Sequence, residues 1–208
     1  TCGRIFWGLR TDGTWGQKTG GTPGCIPPPF WPVPLTKTGQ TTSYAAGDDG
    51  ALKSGVVWPT PRFTDNGNGT ITDNLTMLVW MKNAFCFGGM NWASALAKVA
   101  GLNARTENCT GYMTGTHVDW RLPNREELLS LIDYRQSSLA LPSEHKFLSV
   151  LSKGSLYDCY YWSSTSLTDK EAWGVSFTDG RVRNFLKTEE PPIYGGYYIT
   201  VWPVRGGQ

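Results

Sequence analysis

The side chains that could act as nucleophiles and bases are few and far apart in this chain. A serine or cysteine hydrolase needs a nucleophile, a base and an acid that orients the base. The only histidines are His117 and His145, and no serine lies in the G-x-S-x-G turn that exposes a catalytic hydroxyl. A lone histidine is more often structural than catalytic. We therefore expect no enzymatic activity and no catalytic residues.

Oxygen ligands for a hard cation are also poorly placed. Calcium binds several carboxylate and carbonyl oxygens at once. Glu189 and Glu190 precede two prolines, but they lack the amide side chain that the lectin motif places beside its proline. The acids and amides of residues 65–73 do not follow EF-hand spacing, and a hairpin turn explains them better. Calcium is the alternative that these oxygens leave open, but we predict no metal and no cofactor.

The most informative stretch for binding runs from Trp173 to Lys187, where two short strands flank an Asp-Gly turn. Strand alternation, with Trp173, Val175, Phe177 and Val182 inward, puts cations and one aromatic ring on the outer face. Arginine binds sulfate or carboxylate oxygens in pairs, and an exposed ring can stack on a sugar. The predicted ligand-binding residues are Ser176, Thr178, Arg181, Arg183, Phe185 and Lys187, with Tyr194 of the following loop. The alternative is a solvated hairpin whose charges serve only solubility.

The overall charge says little about which kind of partner the chain binds. The chain has 19 Lys and Arg against 17 Asp and Glu, a net charge of +2, so no strong field draws it to nucleic acid or anionic lipid. No apolar run reaches the roughly 20 residues that a membrane-spanning helix needs. The sequence also opens without an export signal, so the chain is expected to be cytosolic or already processed.

The five cysteines favour a processed chain in an oxidising compartment. They show no metal-binding spacing and lie in polar or Gly-rich surroundings. We expect a disulfide between Cys86 and Cys109 and a second between Cys2 and Cys25, which leaves Cys159 outside both pairs. The alternative is that all five are reduced and buried.

The strands and helices that must position the hairpin are predicted from local patterns. Strands are expected on both sides of an Asn-Gly turn within 63–73, and at 78–81, 160–165, 172–178, 181–187 and 197–204. A first helix has Asn91 as its N-cap, Trp92, Leu96, Val99 and Ala100 at helical spacing, and Gly101 as its stop. A second has Asn124 as its cap, Glu127 at the capping-box position, and Leu128, Leu131 and Ile132 as its buried stripe. This order predicts an α+β domain over residues 61–208, with most of its tryptophans in the core.

Residues 1–60 have a different composition. They are rich in Gly and Pro, show no sustained periodicity and still carry four tryptophans. They predict an irregular N-terminal arm without a core of its own. We expect the arm to dock on its own domain or on a neighbouring subunit.

Four blocks of sequence resemble one bacterial family. They are PRFTDNGNGTITDNLT at 61–76, DWRLPN at 119–124, YWSST at 161–165 and VWPVRGG at 201–207. In this order they are similar to the Lcl C-terminal domain family, named for a collagen-like adhesin, and the similarity runs from about Thr38 to the end. Met77 departs from the family pattern, which has glycine at this position.

The resemblance implies a C-type-lectin-like fold, with two short helices and an antiparallel sheet, in a secreted or cell-surface protein. It also implies adhesion to sulfated polysaccharide. We therefore expect a non-enzymatic extracellular binding module whose partner is an acidic or sulfated glycan or a surface protein, without nucleic-acid binding or membrane insertion. The alternative is a structural subunit of a surface filament or pilus, a homo-oligomer that the arm assembles.

Overall fold

The structure is a computed structural model of the chain. It describes residues 35–113, 115, 117–151, 158–191 and 197–206, and the backbone of two strands at 6–9 and 15–18. Contacts between residues divide the chain into two units, Thr1–Pro34 and Leu35–Gln208. In the first unit, β1 (Phe6–Leu9) pairs antiparallel with β2 (Trp15–Lys18). The predicted irregular arm therefore contains a hairpin.

Residues 35–60 belong to the second unit, together with the predicted domain. They contain one helical turn, α1 (Asp49–Leu52), whose N-cap Asp48 accepts a hydrogen bond from the Ala51 backbone N–H. Thr36 bridges to Val56, which closes the segment on itself. The Tyr134 N–H donates to the Thr38 carbonyl at 3.0 Å, so this segment lies against the loop that follows the last helix.

The first sheet of the second unit grows from the predicted Asn-Gly hairpin. Its strands, in the order of pairing, are β10 (Val204–Arg205), β5 (Val79–Met81), β4 (Thr70–Asp73) and β3 (Phe63–Asp65), and all pairs are antiparallel. Met77, which replaces the family's glycine, has φ of +59° in the turn before β5. That left-handed conformation is the one that glycine adopts without steric cost. Met77 therefore adopts a backbone conformation that favours glycine.

Both predicted helices form. They are α2 (Trp92–Ala104), capped by Asn91, and α3 (Arg125–Ser130), capped by Asn124 and Glu127 in a capping box. Helix α2 passes through Gly101 and ends at Ala104, so the predicted stop is wrong. A Cβ at Gly101 would lie 2.4 Å from Glu107 Cγ, so glycine is needed for packing here. The buried residues of α2 are Ala95, Val99, Gly101 and Leu102, whereas Leu96 and Ala100 are exposed.

The second sheet carries the predicted binding hairpin. Its strands pair in the order β8 (Val182–Leu186), β7 (Glu171–Val175), β6 (Asp158–Ser166) and β9 (Tyr197–Thr200). Strand β9 runs parallel to β6, so this sheet is mixed. The predicted strand 197–204 is split into β9 and β10, which join different sheets. Pro203 lies at the split, where its lack of an N–H prevents a continuous ladder.

The two sheets meet around Trp202, which lies at the split and is fully buried. Its ring centroid is 5.4 Å from Trp80 of the first sheet, 5.3 Å from Tyr161 of the second, and 4.7 Å from Phe147. Trp120 and Trp162 are also buried, while Trp92 and Trp173 are half-buried. These aromatic contacts contribute to stability beyond the area that they remove from water.

The predicted disulfide between Cys86 and Cys109 is confirmed, with the Cα atoms 5.2 Å apart. It links the segment before α2 to the segment after it. Cys159 is buried in β6. The predicted pair Cys2 and Cys25 lies outside the described residues.

The α+β class is confirmed by short helices and two four-stranded sheets. The C-type-lectin-like fold stays a prediction. Within the described ranges, no helix combines the length and the apolar character that crossing a bilayer requires.

A buried ion pair fixes the first hairpin against the helices. Arg62 and Asp73 are both fully buried, and Arg62 Nη2 lies 3.3 Å from Asp73 Oδ2. The same nitrogen donates to the carbonyl of Ser130, at the end of α3, at 2.6 Å. Asp73 also accepts hydrogen bonds from the Leu75 N–H and the Thr76 hydroxyl. The pair therefore joins β3, β4 and α3 at one point.

We predict that Arg62→Ala lowers the free energy of unfolding by about 3–5 kcal/mol, because it leaves the Asp73 carboxylate buried without its cation. Urea unfolding of the full chain measures this loss. The control is Lys82→Ala, which removes the partly exposed pair between Lys82 and Asp65 and costs at most about 1 kcal/mol. Equal losses in the two variants would contradict a central role for the buried pair.

Candidate functional site

The predicted binding hairpin forms, but Val182, which was predicted to face inward, is exposed. Gly174 lies opposite Arg183 and Val175 lies opposite Val182. However, the face that carries Arg183 also carries Phe185, which is 5% exposed and packs on Tyr160 at 4.9 Å between ring centroids. The prediction that Phe185 is exposed for stacking on a sugar is therefore wrong. Aromatic side chains cover both faces of this sheet, so alternation alone did not identify a solvent face.

Ser176 and Thr178 lie in the turn between β7 and β8, and both are buried rather than on an outer face. Ser176 Oγ accepts a hydrogen bond from the Thr178 N–H at 3.2 Å, and the Ser176 N–H donates to the Arg181 carbonyl at 2.8 Å. Ser176 therefore shapes the turn. The Thr178 hydroxyl has no hydrogen-bond partner among the described residues, and it borders a groove described below.

Arg181 is half-exposed at the end of the same turn, with 52% of its side chain accessible. Its Nε donates to Asp179 at 2.5 Å, and its Nη1 lies 3.7 Å from Asp158. The hydrogen bond to Asp179 raises the pKa of Arg181 above its ordinary value. Two carboxylates therefore hold Arg181 in place and offset its charge.

Arg183 lies beside this pair and is exposed. Its guanidinium carbon is 4.3 Å from the centre of the Tyr197 ring, and Nη1 donates to the Tyr197 hydroxyl. Stacking of this kind restricts the guanidinium plane while leaving its other N–H groups accessible. We name the surface formed by Asp158, Arg181, Arg183 and Tyr197 the hairpin edge.

Lys187 is separated from this edge by Phe185. Its ammonium nitrogen donates to the carbonyls of Thr168 and Asp169, at 3.1 and 3.2 Å, and lies 4.5 Å from the centre of the Trp92 ring. These contacts hold Lys187 against its own domain, so the structure does not place it with Arg181 and Arg183. Tyr194 lies outside the described residues.

A groove adjoins the hairpin edge on the side of the turn. It has a volume of about 440 Å³ and is lined by Tyr134, Gln136, Ser137, Ser138, Thr178 and Asp179. Tyr134 is 54% exposed, and hydroxyl, amide and carboxylate groups surround it. Rings beside such polar groups can stack on one face of a sugar and hydrogen-bond to its hydroxyls.

The walls of the groove are held by backbone hydrogen bonds. The Asp133 N–H donates to the Ala140 carbonyl at 3.0 Å, and the Ala140 N–H donates to the Phe177 carbonyl at 2.6 Å. Gly180 has φ of +79°, and a Cβ there would lie 2.9 Å from the Tyr134 ring. Glycine therefore lets the turn approach the loop. Residues 134–138 were not predicted as part of a site, because their only signal in the sequence is a polar run after the second helix.

The two histidines lie apart from this region. His117 Nε2 is 3.5 Å from Arg205 Nη1, and burial together with this cation lowers the pKa of His117. His145 stacks on Phe147, and burial lowers the pKa of His145 as well. Neither ring bonds to a serine or cysteine side chain in the described part of the chain.

Three of the acidic residues in 65–73 and 189–190 that could supply oxygens to calcium have other partners. Asp65 pairs with Lys82 at 2.5 Å, and Asp73 is the partner of Arg62. Glu190 accepts a hydrogen bond from the Asn91 side chain. Among the residues that the structure describes, no three His, Cys, Asp or Glu side chains gather as a metal site requires.

Comparison with protein families then identifies the domain. The model described as the Lcl C-terminal domain matches residues 69–205, well over half of the 208 residues. The chain belongs to the Lcl C-terminal domain family. The match begins later than the predicted start near Thr38. The comparison with curated proteins found no match.

Family membership supports the predicted placement of this Lcl C-terminal domain in a surface protein. The groove and the hairpin edge both lie within the matched range. Residues 35–60, which pack against the loop after α3, lie outside it.

Glu189 adds a titratable group next to the hairpin edge of the Lcl C-terminal domain. Burial raises the pKa of Glu189 above its ordinary 4.5, and the charge of Arg183 partly opposes this shift. Its Oε2 is buried without a hydrogen-bond partner among the described residues. A carboxyl whose pKa is raised by folding stabilises the fold below its ordinary pKa, and this contribution is lost as the pH rises through the raised value.

We therefore predict that Glu189→Gln increases the free energy of unfolding at neutral pH. The ionised carboxylate costs free energy in this half-buried position, and the neutral amide of glutamine avoids that cost. The advantage should shrink as the pH falls towards 4.5. Urea unfolding over a pH series measures it, with the exposed neighbour Glu190→Gln as the control. A Glu189→Gln advantage that does not change with pH would rule out this explanation.

Proposed function

We propose that this Lcl C-terminal domain is a non-enzymatic extracellular binding module that adheres to acidic polysaccharide, including sulfated chains. The observation that carries the proposal is the exposed Arg183 guanidinium held over Tyr197. Arginine binds two oxygens of a sulfate or carboxylate at once, and a guanidinium that is already oriented loses less entropy on binding.

The groove supports the same function. Asp179 lines it and also pairs with Arg181, so the groove and the hairpin edge are continuous. An acidic sugar at Arg183 would therefore have a neighbour near Tyr134, whose exposed ring offers a stacking surface. The Thr178 hydroxyl would gain the hydrogen-bond partner that it lacks.

The local charges suggest that the ligand is recognised through direct contacts rather than drawn to the domain by long-range electrostatic attraction. Asp158 and Asp179 offset Arg181, and the net charge of the chain is only +2. We therefore propose that binding depends on geometry at Arg183 as much as on charge, and that it needs no metal and no cofactor. Salt should weaken binding without abolishing it at moderate ionic strength.

We predict that Arg183→Ala weakens binding of the full chain to heparin-type sulfated polysaccharide about tenfold or more, equivalent to about 1.4 kcal/mol. Arg183→Lys should recover only part of the affinity, because lysine cannot bind two oxygens in a fixed fork. Surface plasmon resonance at low and moderate salt measures both. The control, Lys170→Ala, removes an equal charge from an exposed position. Equal losses for Arg183→Ala and Lys170→Ala would show that only net charge matters.

A structural subunit of a surface filament or pilus is the second candidate. Several apolar side chains of residues 35–57 are strongly exposed: Leu35, Tyr44, Leu52 and Val57. Exposed apolar patches favour contact with another protein. In this function the segment, together with the residues before it, would mediate assembly between copies of the chain.

Light scattering of the full chain after size-exclusion chromatography tests this candidate. We predict oligomers whose size falls in the variant Leu52→Ser with Val57→Ser, because the contact loses apolar area. Leu96→Ser, on an exposed position of α2, is the control. A monomer at all concentrations, for the unmodified chain and the variant, would remove the filament function.

A further inference from the structure

A second cleft lies on the other side of the loop that lines the groove. It has a volume of about 170 Å³ and is lined by Lys37, Gly39, Gln40, Thr41, Lys53, Val57, Trp58 and Arg135. We name it the Trp58 cleft. All but one of these residues precede the matched range 69–205, so family membership assigns no role to this site.

Three cations line the Trp58 cleft. The side chains of Lys37 and Lys53 have no ion pair or hydrogen bond among the described residues, in contrast to Lys82, Lys98 and Lys187. Arg135 pairs with Asp133 at 2.6 Å, which fixes its direction. No carboxylate lines the cleft in the described structure. The buried Asp133 carboxylate lies beside Gly39 and offsets the charge of Arg135, whereas Lys37 and Lys53 have no paired carboxylate among the described residues.

Trp58 adds a neutral donor to these charges. Its Nε1 is buried and has no hydrogen-bond partner among the described residues. Two guanidinium carbons lie near the ring, that of Arg62 at 4.5 Å and that of Arg135 at 5.6 Å from its centre. An unsatisfied buried donor costs free energy, and an acceptor that reached this nitrogen would recover it.

The nearest carboxylates on this segment are occupied elsewhere. Asp48 accepts hydrogen bonds from the N–H groups of Tyr44 and Ala51 as the cap of α1. Asp49 accepts a hydrogen bond from the Thr38 hydroxyl. Gln40 lines the cleft and donates to Asp48 at 3.3 Å, which orients its amide. These acids stabilise the local fold and do not pair with Lys37 or Lys53.

We infer that the Trp58 cleft binds one sulfate group of the acidic polysaccharide. Ligand pockets for larger molecules have volumes of roughly 300–1,000 Å³, so a cleft of this size suits a single charged group. Cations from three separate positions and one N–H match a tetrahedral anion with several free oxygens better than a flat carboxylate. This inference rests on the proposed function for the identity of the polymer, but the anion site can be tested alone.

The position of the cleft fits this role. Tyr134 and Gln136 line the groove, and Arg135 between them lines the cleft. Consecutive Cα atoms are about 3.8 Å apart, so one loop presents both sites to a bound chain. The Trp58 cleft and the groove therefore lie on two sides of one loop, and an extended polymer that crosses this loop would contact both.

Titration of the full chain with sodium sulfate at constant ionic strength tests the inference, with chloride as the balancing ion. The readout is the indole N–H resonance of Trp58 in a 15N NMR spectrum, assigned by its loss in Trp58→Phe. We expect a saturable shift of this resonance, with a dissociation constant at least tenfold larger in Lys37→Ala with Lys53→Ala. The matched control is Lys146→Ala with Lys170→Ala, which removes the same charge elsewhere and should leave the constant unchanged. Folding of each variant is checked from the remaining resonances.

Three results would overturn the inference: a shift that does not saturate, equal affinity in the two double variants, or acetate binding as tightly as sulfate. The Arg183→Ala variant separates this inference from the proposed function, because it should retain sulfate binding at Trp58. Saturable sulfate binding without polysaccharide binding would overturn the proposed function and still support the anion site. Polysaccharide binding that depends on Arg183, without sulfate binding at Trp58, would overturn only the anion site.

Discussion

The buried contact between Arg62 and Asp73 determines how the parts of this domain meet. A charge removed from water is tolerated only when a partner and further hydrogen bonds satisfy it. Asp73 is satisfied by Arg62 and by its own turn, while Arg62 also donates to the end of α3. Arg62 Nη1 has no hydrogen-bond partner among the described residues, but the bonds that are made link the first hairpin to α3 and restrict how far the two can shift. Arg62 also stacks on Trp58, so the same cation supports the wall of the Trp58 cleft.

This arrangement leaves the proposed binding surfaces on well-supported elements. Trp202 joins the two sheets through ring contacts, and Tyr160 packs on Phe185 beneath the hairpin edge. The exposed Arg183 is then oriented by Tyr197, which also contacts Phe185 at 5.7 Å. A rigid support of this kind reduces the conformational entropy that a flexible arginine would lose on binding. The domain therefore combines an aromatic interior with a few oriented cations at its surface.

Local sequence signals predicted the elements well, because their physical causes lie within a few residues. The Asn124 and Glu127 capping box and the Asn-Gly hairpin are of this kind. The burial of Phe185 was mispredicted, because alternation separates two faces without saying which of them other layers cover. The break at Pro203 was missed, since β9 and β10 form one apolar run and differ only in their long-range partners.

The candidate site was only partly predictable from the sequence, because much of it depends on contacts between residues that are far apart in the chain. Arg181 and Arg183 are two residues apart, and their strand context indicated a shared surface. The Trp58 cleft combines residues 37, 53, 58 and 135, and no local pattern relates positions so far apart. Likewise, the pairing of Arg181 with Asp158 and of Lys187 with backbone carbonyls depends on tertiary structure.

The most direct test of this binding surface is an experimental structure of the full chain with a sulfated tetrasaccharide bound. We expect sulfate oxygens within hydrogen-bond distance of Arg183 and of Trp58 Nε1, with a sugar ring over the groove beside Tyr134. A ligand bound elsewhere, for example at Arg205 and His117, with Arg183 and Trp58 unchanged, would contradict the proposal.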